Sequence, residues 1–333
     1  MNRKSISILL ILVVAAIVAA VLLRKPDGSG KGATGKTKVV IGHGPWIGFG
    51  PLYLAKEKGY FAEQGIDVDL VVLTGLAERN SALQTGRIDA LAAPVDYFVL
   101  AAGNGIQSKI VMAIDESVGG DGIVAKKEIV KIEDLKGKKL AFQQGLPSDF
   151  FVRAVLLKSG GNIADIQTVD METDKAGAAF IAGQVDAAAV WEPWLTKAVE
   201  SGSGHVLAST KEFPNLIVDC LAFNSDRVAK DPATAKRVVT AVLKAIEFHK
   251  AHPDEANAIM APHFQLDPKK FAIILSGARL CDKQRNMEFF GTDKSGPIFE
   301  VGRTAAKIWK AAGVSKSEPE PNSVIDSTIL KGL

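Results

Sequence analysis

Cysteine is scarce in this chain: Cys220 and Cys281 are the only two in 333 residues. There is no Cys-x-x-Cys pair and no His-Glu-x-x-His stretch, which removes the usual thiolate and zinc-hydrolase sites. A Gly-x-Ser-x-Gly elbow is missing too, so serine acyl transfer has no support. Histidine numbers five, and His249, His252 and His263 fall on late helices or their ends, where exposed surface is expected. An excess of one charge is also lacking. Lys and Arg total 40 against 37 for Asp and Glu, too even a balance to attract nucleic acid. No metal, cofactor or catalytic constellation is expected.

Long apolar runs are confined to the N-terminus. Asn2-Arg3-Lys4 precedes an apolar run from Ile6 to Leu23, closed by Arg24-Lys25. A basic start and apolar stretch describe a signal peptide, and the continuation through Val21-Leu22-Leu23 is long enough for an uncleaved membrane anchor. Residues 1–23 are assigned to one or the other, and no cysteine follows to carry a lipid. Residues 24–37, rich in Gly and Ser, read as a flexible tether. In an exported chain the two cysteines suit either a disulfide or two buried thiols.

The remainder is too long for one core, so two lobes are expected. Its pattern repeats. Lys38–Gly42 reads as a strand, His43–Pro51 as a Gly-rich loop, Leu52–Lys58 as a helix, Ile66–Leu73 as a strand, Glu78–Thr85 as a helix and Ile88–Ala92 as a strand. About a hundred residues later come a strand at Lys139–Phe142, a helix at Phe150–Lys158, a strand at Ile166–Met171, a helix at Ala176–Ala182 and a strand at Val185–Val190. Gly86-Arg87-Ile88-Asp89-Ala90 and Gly183-Gln184-Val185-Asp186-Ala187 are the clearest echo. Alternating strands and helices predict an α/β fold of two lobes, each a mostly parallel sheet with helices on both faces. Two strands, near Gly122–Ala125 and Val218–Phe223, are expected to form the hinge. Lobe 1 would then comprise 38–122 and 221–333, and lobe 2 residues 123–220.

Ligands of open parallel sheets bind beyond the carboxyl ends of strands. That rule selects the loops holding His43, Trp46 and Gly48; Pro94 and Asp96; Asp115, Ser117 and Asp121; Ser148; and Trp191 with Glu192. The two Trp offer flat walls, and Ser148 at a helix start suits an anionic group. Acids dominate, with Asp149 and Asp219 nearby and His43 and Arg79 the nearest bases. Asp115 and Asp149, though in the same loops, read better as helix caps or solvated loop residues than as ligand contacts. Asp121 reads as a ligand contact. A carboxylate-rich cleft favours an amine or guanidinium group.

Several of these segments resemble one family. Trp46-Ile47-Gly48-Phe49-Gly50-Pro51-Leu52-Tyr53-Leu54-Ala55-Lys56-Glu57-Lys58-Gly59-Tyr60-Phe61 is similar to the opening signature of the nitrate/sulfonate/taurine substrate-binding proteins of ABC importers. Leu83–Ala90, Glu133–Lys139, Gly183–Ala187 and Val190–Trp194 resemble that family as well. The resemblance implies a type II periplasmic-binding fold and a monomer that hands a small solute to a permease with its ATPase. It also implies that the Trp46 loop, Pro94–Asp96, Asp121, Ser148 and Trp191–Glu192 face the ligand, with Asp121 pairing with an amine as in taurine binders. The Arg that sulfonate binders direct at the sulfonate has no match. Two other readings belong to the same scaffold: a pyrimidine or thiamine-precursor biosynthetic enzyme, which in the relatives depends on a cysteine cluster lacking here, and a ligand-sensing module for a signalling partner.

Overall fold

The computed structural model describes residues 35–291 and 295–333. The leader or anchor at 1–23 and nearly all of the tether lie outside the described residues. Among the described residues, no helix is long and apolar enough to cross a membrane.

Two sheets form, and the repeated unit sits in both with the same strand order. In the first, β1 (Thr37–His43) lies between β2 (Ile66–Val72) and β3 (Ala90–Pro94), all parallel. In the second, β6 (Lys139–Phe142) lies between β7 (Gln167–Asp170) and β8 (Ala187–Trp191), again parallel. β3 (ALAAP) is short, apolar and buried throughout, and β6 (KLAF) is so after its first residue, as expected where helices cover both faces. Gly86 and Gly183 both take positive φ, at 70° and 73°, ending matching helices in the left-handed conformation that glycine tolerates best.

Each sheet is mixed, because the strands at the crossings run antiparallel. β4 (Ser108–Ser117) belongs to the first sheet and β5 (Asp121–Ala125) to the second, so the chain crosses at 118–120. It returns between β9 (His205–Ser209) and β10 (Val218–Asn224), through 210–217. Asp121 and Gly122 therefore stand in the second sheet and Val218–Cys220 in the first. Beside each parallel triplet lies the strand that has just arrived from the other lobe: β10 on β3, and β5 on β8. β11 (Ala278–Leu280) adds an outer edge to β4.

The two crossings are tied together. Ser117 Oγ lies 2.8 Å from Thr210 Oγ1, which also accepts from Gly119 N at 2.7 Å. Val118 N and Gly120 N both donate to the Gly277 carbonyl, at 2.8 and 3.0 Å.

The helices that position the cleft are α1 (Gly50–Glu57), α2 (Leu76–Gln84), α3 (Val95–Gly103) and α4 (Pro147–Lys158), followed by α5 (Thr173–Ile181) and α6 (Trp194–Glu200). Pro51 and Pro147 stand in the first turns of α1 and α4, where a missing N–H costs nothing. The Pro94–Tyr97 segment, expected as a loop, is the end of β3 and the first turn of α3. A long C-terminal helix, α7 (Pro297–Ala311), packs on α3 and on α4. Its Trp309 ring lies 5.8 Å from Phe150, and its indole N–H donates to the Asp96 carbonyl at 3.0 Å. The lobes therefore share apolar contact beside the cleft. Cys220 and Cys281 are buried free thiols. His249, expected at the surface, is half-buried against Asn257, and burial lowers its pKa.

Candidate ligand-binding cleft

Strand register lines up the acids. Asp219 on β10 pairs with Pro94 on one side and Asp115 on the other, so Pro94, Asp219 and Asp115 form a row at the cleft edge of the first sheet. Asp121 pairs with Trp191 at the facing edge of the second. Between the edges lies a cavity of about 30 Å³. Trp46, Phe49, Arg79 and Asp219 wall it from the first lobe; Asp121 and Trp191 wall it from the second.

Of the residues expected at the site, Trp46, Pro94, Asp121 and Trp191 line this cavity. Trp46 donates its indole N–H to Asp115 Oδ1 at 3.0 Å, so Asp115 lies buried behind the ring and is neither a cap nor solvated. Gly48 serves that contact without lining the cavity: a side chain there would collide with the Asp115 carboxylate and the Trp46 indole. Asp96, in the first turn of α3, is 1% exposed, and neither of its carboxylate oxygens finds a partner.

The other expected residues are occupied elsewhere. His43 is bonded on both nitrogens, to the Gly44 carbonyl at 2.7 Å and the Tyr53 hydroxyl at 2.9 Å. Burial also lowers its pKa. Ser117 joins the crossings. Ser148 is hydrogen-bonded with the backbone of Gln143 within its own lobe. Glu192 accepts from both the amide and hydroxyl of Thr196, closing the first turn of α6. Asp149 is buried against Arg153 at 2.6 Å and accepts from Gly145 N.

Arg79, expected only as a nearby base, is part of the cavity wall. It is 4% exposed, and its Nε donates to the Leu73 carbonyl at 2.9 Å. Gly44 makes room for it, since an added Cβ there would lie 2.5 Å from Nη2. Gly44→Ala should therefore displace the guanidinium. The expected outcome is a roughly tenfold loss of affinity for solutes carrying an acid group, since a charge-assisted contact contributes about 1.5–3 kcal/mol. Titration calorimetry reads this, and an unaltered affinity would remove Arg79 from the binding set.

The electrostatics are acid-heavy. Burial raises Asp96 to about 8 and Asp121 to about 7, opposed in Asp121 by the Ser117 hydrogen bond and reinforced by Glu192. Asp115 and Asp219 are raised as well, chiefly by burial and then by neighbouring acids. Burial lowers the pKa of Arg79. A wall with one guanidinium and two carboxyls of raised pKa, Asp121 and Asp219, can ionise to meet an incoming cation. Among the described residues, no group of three or more His, Cys, Asp or Glu could hold a metal ion. Gly30–Thr37 (GKGATGKT) has phosphate-loop spacing, but Thr37 opens a strand where that loop needs a helix.

Two mixed-sheet lobes joined by paired crossings, with a small cavity between facing strand ends, define a periplasmic-binding-type α/β protein. Residues 46–256 match the family described as NMT1/THI5 like, and the chain belongs to that family. A candidate binding protein of Brucella abortus (strain 2308) is 29% identical over 218 residues, covering 64% of this chain and 67% of that protein. A candidate aliphatic sulfonates-binding protein of Bacillus subtilis (strain 168) is 23% identical over 323 residues, 95% of this chain and 94% of its own. Among solved structures, the alkanesulfonate-binding protein SsuA of Xanthomonas axonopodis pv. citri, bound to MOPS, superposes with a TM-score of 0.73 at 20% identity, covering 87% of this chain and 98% of its own. The periplasmic nitrate-binding protein NrtA of Synechocystis PCC 6803 gives 0.68 at 17%, covering 89% and 88%. The desulfurization enzyme DSZB gives 0.63 at 14%, covering 89% and 98%. At these identities the structural likeness is one of fold.

Proposed function

We propose that this protein is the extracytoplasmic solute-binding component of an ABC importer. It captures a small zwitterionic or cationic solute between its lobes and passes it to a permease, without chemistry on the solute. One observation carries the reading: Arg79 and the acids Asp121 and Asp219 converge from both lobes on a small cavity flanked by Trp46 and Trp191. An ammonium would meet the acids and an acid group the guanidinium, while the indoles exclude water. Walls contributed by both lobes support entry through lobe opening, with ligand contacts from both halves selecting the closed state. The names of the sulfonate-binding and nitrate-binding relatives support an importer role and an extracytoplasmic location. DSZB shares the fold and is an enzyme, but a non-enzymatic reading suits a cleft whose His43 is bonded away from the cavity.

The test is a thermal-shift screen of amines, guanidinium compounds, taurine, alkanesulfonates and nitrate, followed by affinities at pH 6 and pH 8. A cation favours ionised carboxylates, so binding releases protons and affinity rises with pH through the range near 7–8 in which Asp121 and Asp96 titrate. A simple anion favours the protonated acids, and its affinity falls over the same range. Hits confined to nitrate or plain sulfonates, tightening toward pH 6, would overturn the acid-led reading.

A further inference from the structure

The geometry points to an outer subsite on the second lobe's side of the cleft, where the same solute places a hydroxyl- or carbonyl-bearing tail; this rests on the head-group reading above. The inner cavity of about 30 Å³ holds only a few atoms, since a single water needs roughly 10–15 Å³. A cavity of about 310 Å³ adjoins it, and Pro45 and Trp191 belong to both walls. The two spaces therefore share part of one wall, a narrow inner space and a wider mouth of the same cleft.

The mouth has its own chemistry. Thr173, the first residue of the nine-residue helix α5, lines it, is 4% exposed, and has a hydroxyl with no partner. The helix start adds first-turn amides that lack intrahelical acceptors; Glu172 at the cap position takes none of them, and Asp174 takes that of Lys175. Gln143 also lines the mouth, and its side-chain amide reaches the Thr74 carbonyl only at 3.5 Å, the limit of a hydrogen bond. These groups suit an oxygen.

Charge decides which kind. Glu172 and Asp174 flank the helix start, Glu172 paired with Lys175 at 2.8 Å and Asp174 accepting from the Lys175 amide. Their carboxylates disfavour an anionic tail, leaving a neutral hydroxyl or carbonyl. Trp194 supplies a fixed wall, held against α5 where a Cβ on Gly177 would come within 2.6 Å of its ring.

Calorimetry on the full chain with two probe pairs tests this: taurine against N-(2-hydroxyethyl)taurine, and ethylamine against 2-(2-aminoethoxy)ethanol. The longer member should bind at least tenfold tighter to the native protein in the pair whose head group fits. Thr173→Val, close in shape, should cost the longer probe about threefold to tenfold and leave the shorter one unchanged. Thr173→Ser should retain the preference for length, which a purely structural role would not require. Equal affinities within a pair, or a Thr173→Val loss shared by both members, would overturn the subsite while leaving the head-group reading intact. If neither member of either pair binds, the head-group reading falls and the subsite falls with it.

Discussion

Asp121→Asn lowers affinity for a cationic or zwitterionic solute by about two orders of magnitude and leaves the protein folded. The size follows from the chemistry. Removing one partner of a buried, hydrogen-bonded charge pair costs roughly 2–5 kcal/mol, and about 2.7 is a hundredfold. Survival of the fold follows from the surroundings. Asp121 is placed by its backbone, which receives from Thr210 N, donates to Ser117 Oγ and pairs in register with Trp191. The amide keeps the shape. Since Asp121 titrates at about 7 in the empty cleft and an exposed aspartate at about 3.9, a permanently neutral group should stabilise the unliganded protein increasingly above about pH 4, with the full gain present above about pH 7. Calorimetry with the best solute and melting curves at pH 8 check both halves. An affinity within threefold of the native value would exclude Asp121 from the site.

The stability of the empty protein falls as pH rises from about 5 to 8, and Asp96→Asn removes part of that fall. Asp96 titrates near 8 when folded, whereas an exposed aspartate titrates at about 3.9. Between those values the folded state keeps a proton that the unfolded state has released, so stability drops by about 1.4 kcal/mol per pH unit for this group. The fall is absent below the unfolded value and complete above the folded one. Asparagine removes that proton linkage. The side chain loses no hydrogen bond, because neither carboxylate oxygen has a partner, and Trp309 bonds the backbone carbonyl. Chemical denaturation between pH 5 and 8 should show a slope shallower by about 1.4 kcal/mol per unit and a variant more stable at pH 8. An unchanged slope would mean that Asp96 does not carry the proton.

Some of this cleft was legible before any coordinates. The repeated unit announced itself because parallel strands buried on both faces must be short apolar runs, and because Gly86 and Gly183 mark helix ends that no other residue makes as easily. Trp46, Pro94, Asp121 and Trp191 followed from the rule that ligands meet strand carboxyl ends. Arg79 was harder. It sits within α2, where an arginine ordinarily faces solvent, and the Leu73 carbonyl, the Tyr97 ring and the gap at Gly44 draw it inward. His43 misled for the converse reason: its loop position pointed to the cleft, but α1 brings Tyr53 back onto its second nitrogen.

Local pattern, then, determined the elements, their twofold repetition and the strand ends where a ligand would be met. Those features depend on residues close in sequence, through periodicity and backbone preference. Tertiary structure decided which polar groups are shared and which are left over. Asp219 takes its place between Pro94 and Asp115 only through antiparallel register across more than a hundred residues. Ser148, Glu192 and His43 are used up by neighbours, whereas Arg79 and Asp121 face the cavity, because hydrogen bonding and burial depend on what lies nearby in space rather than along the chain.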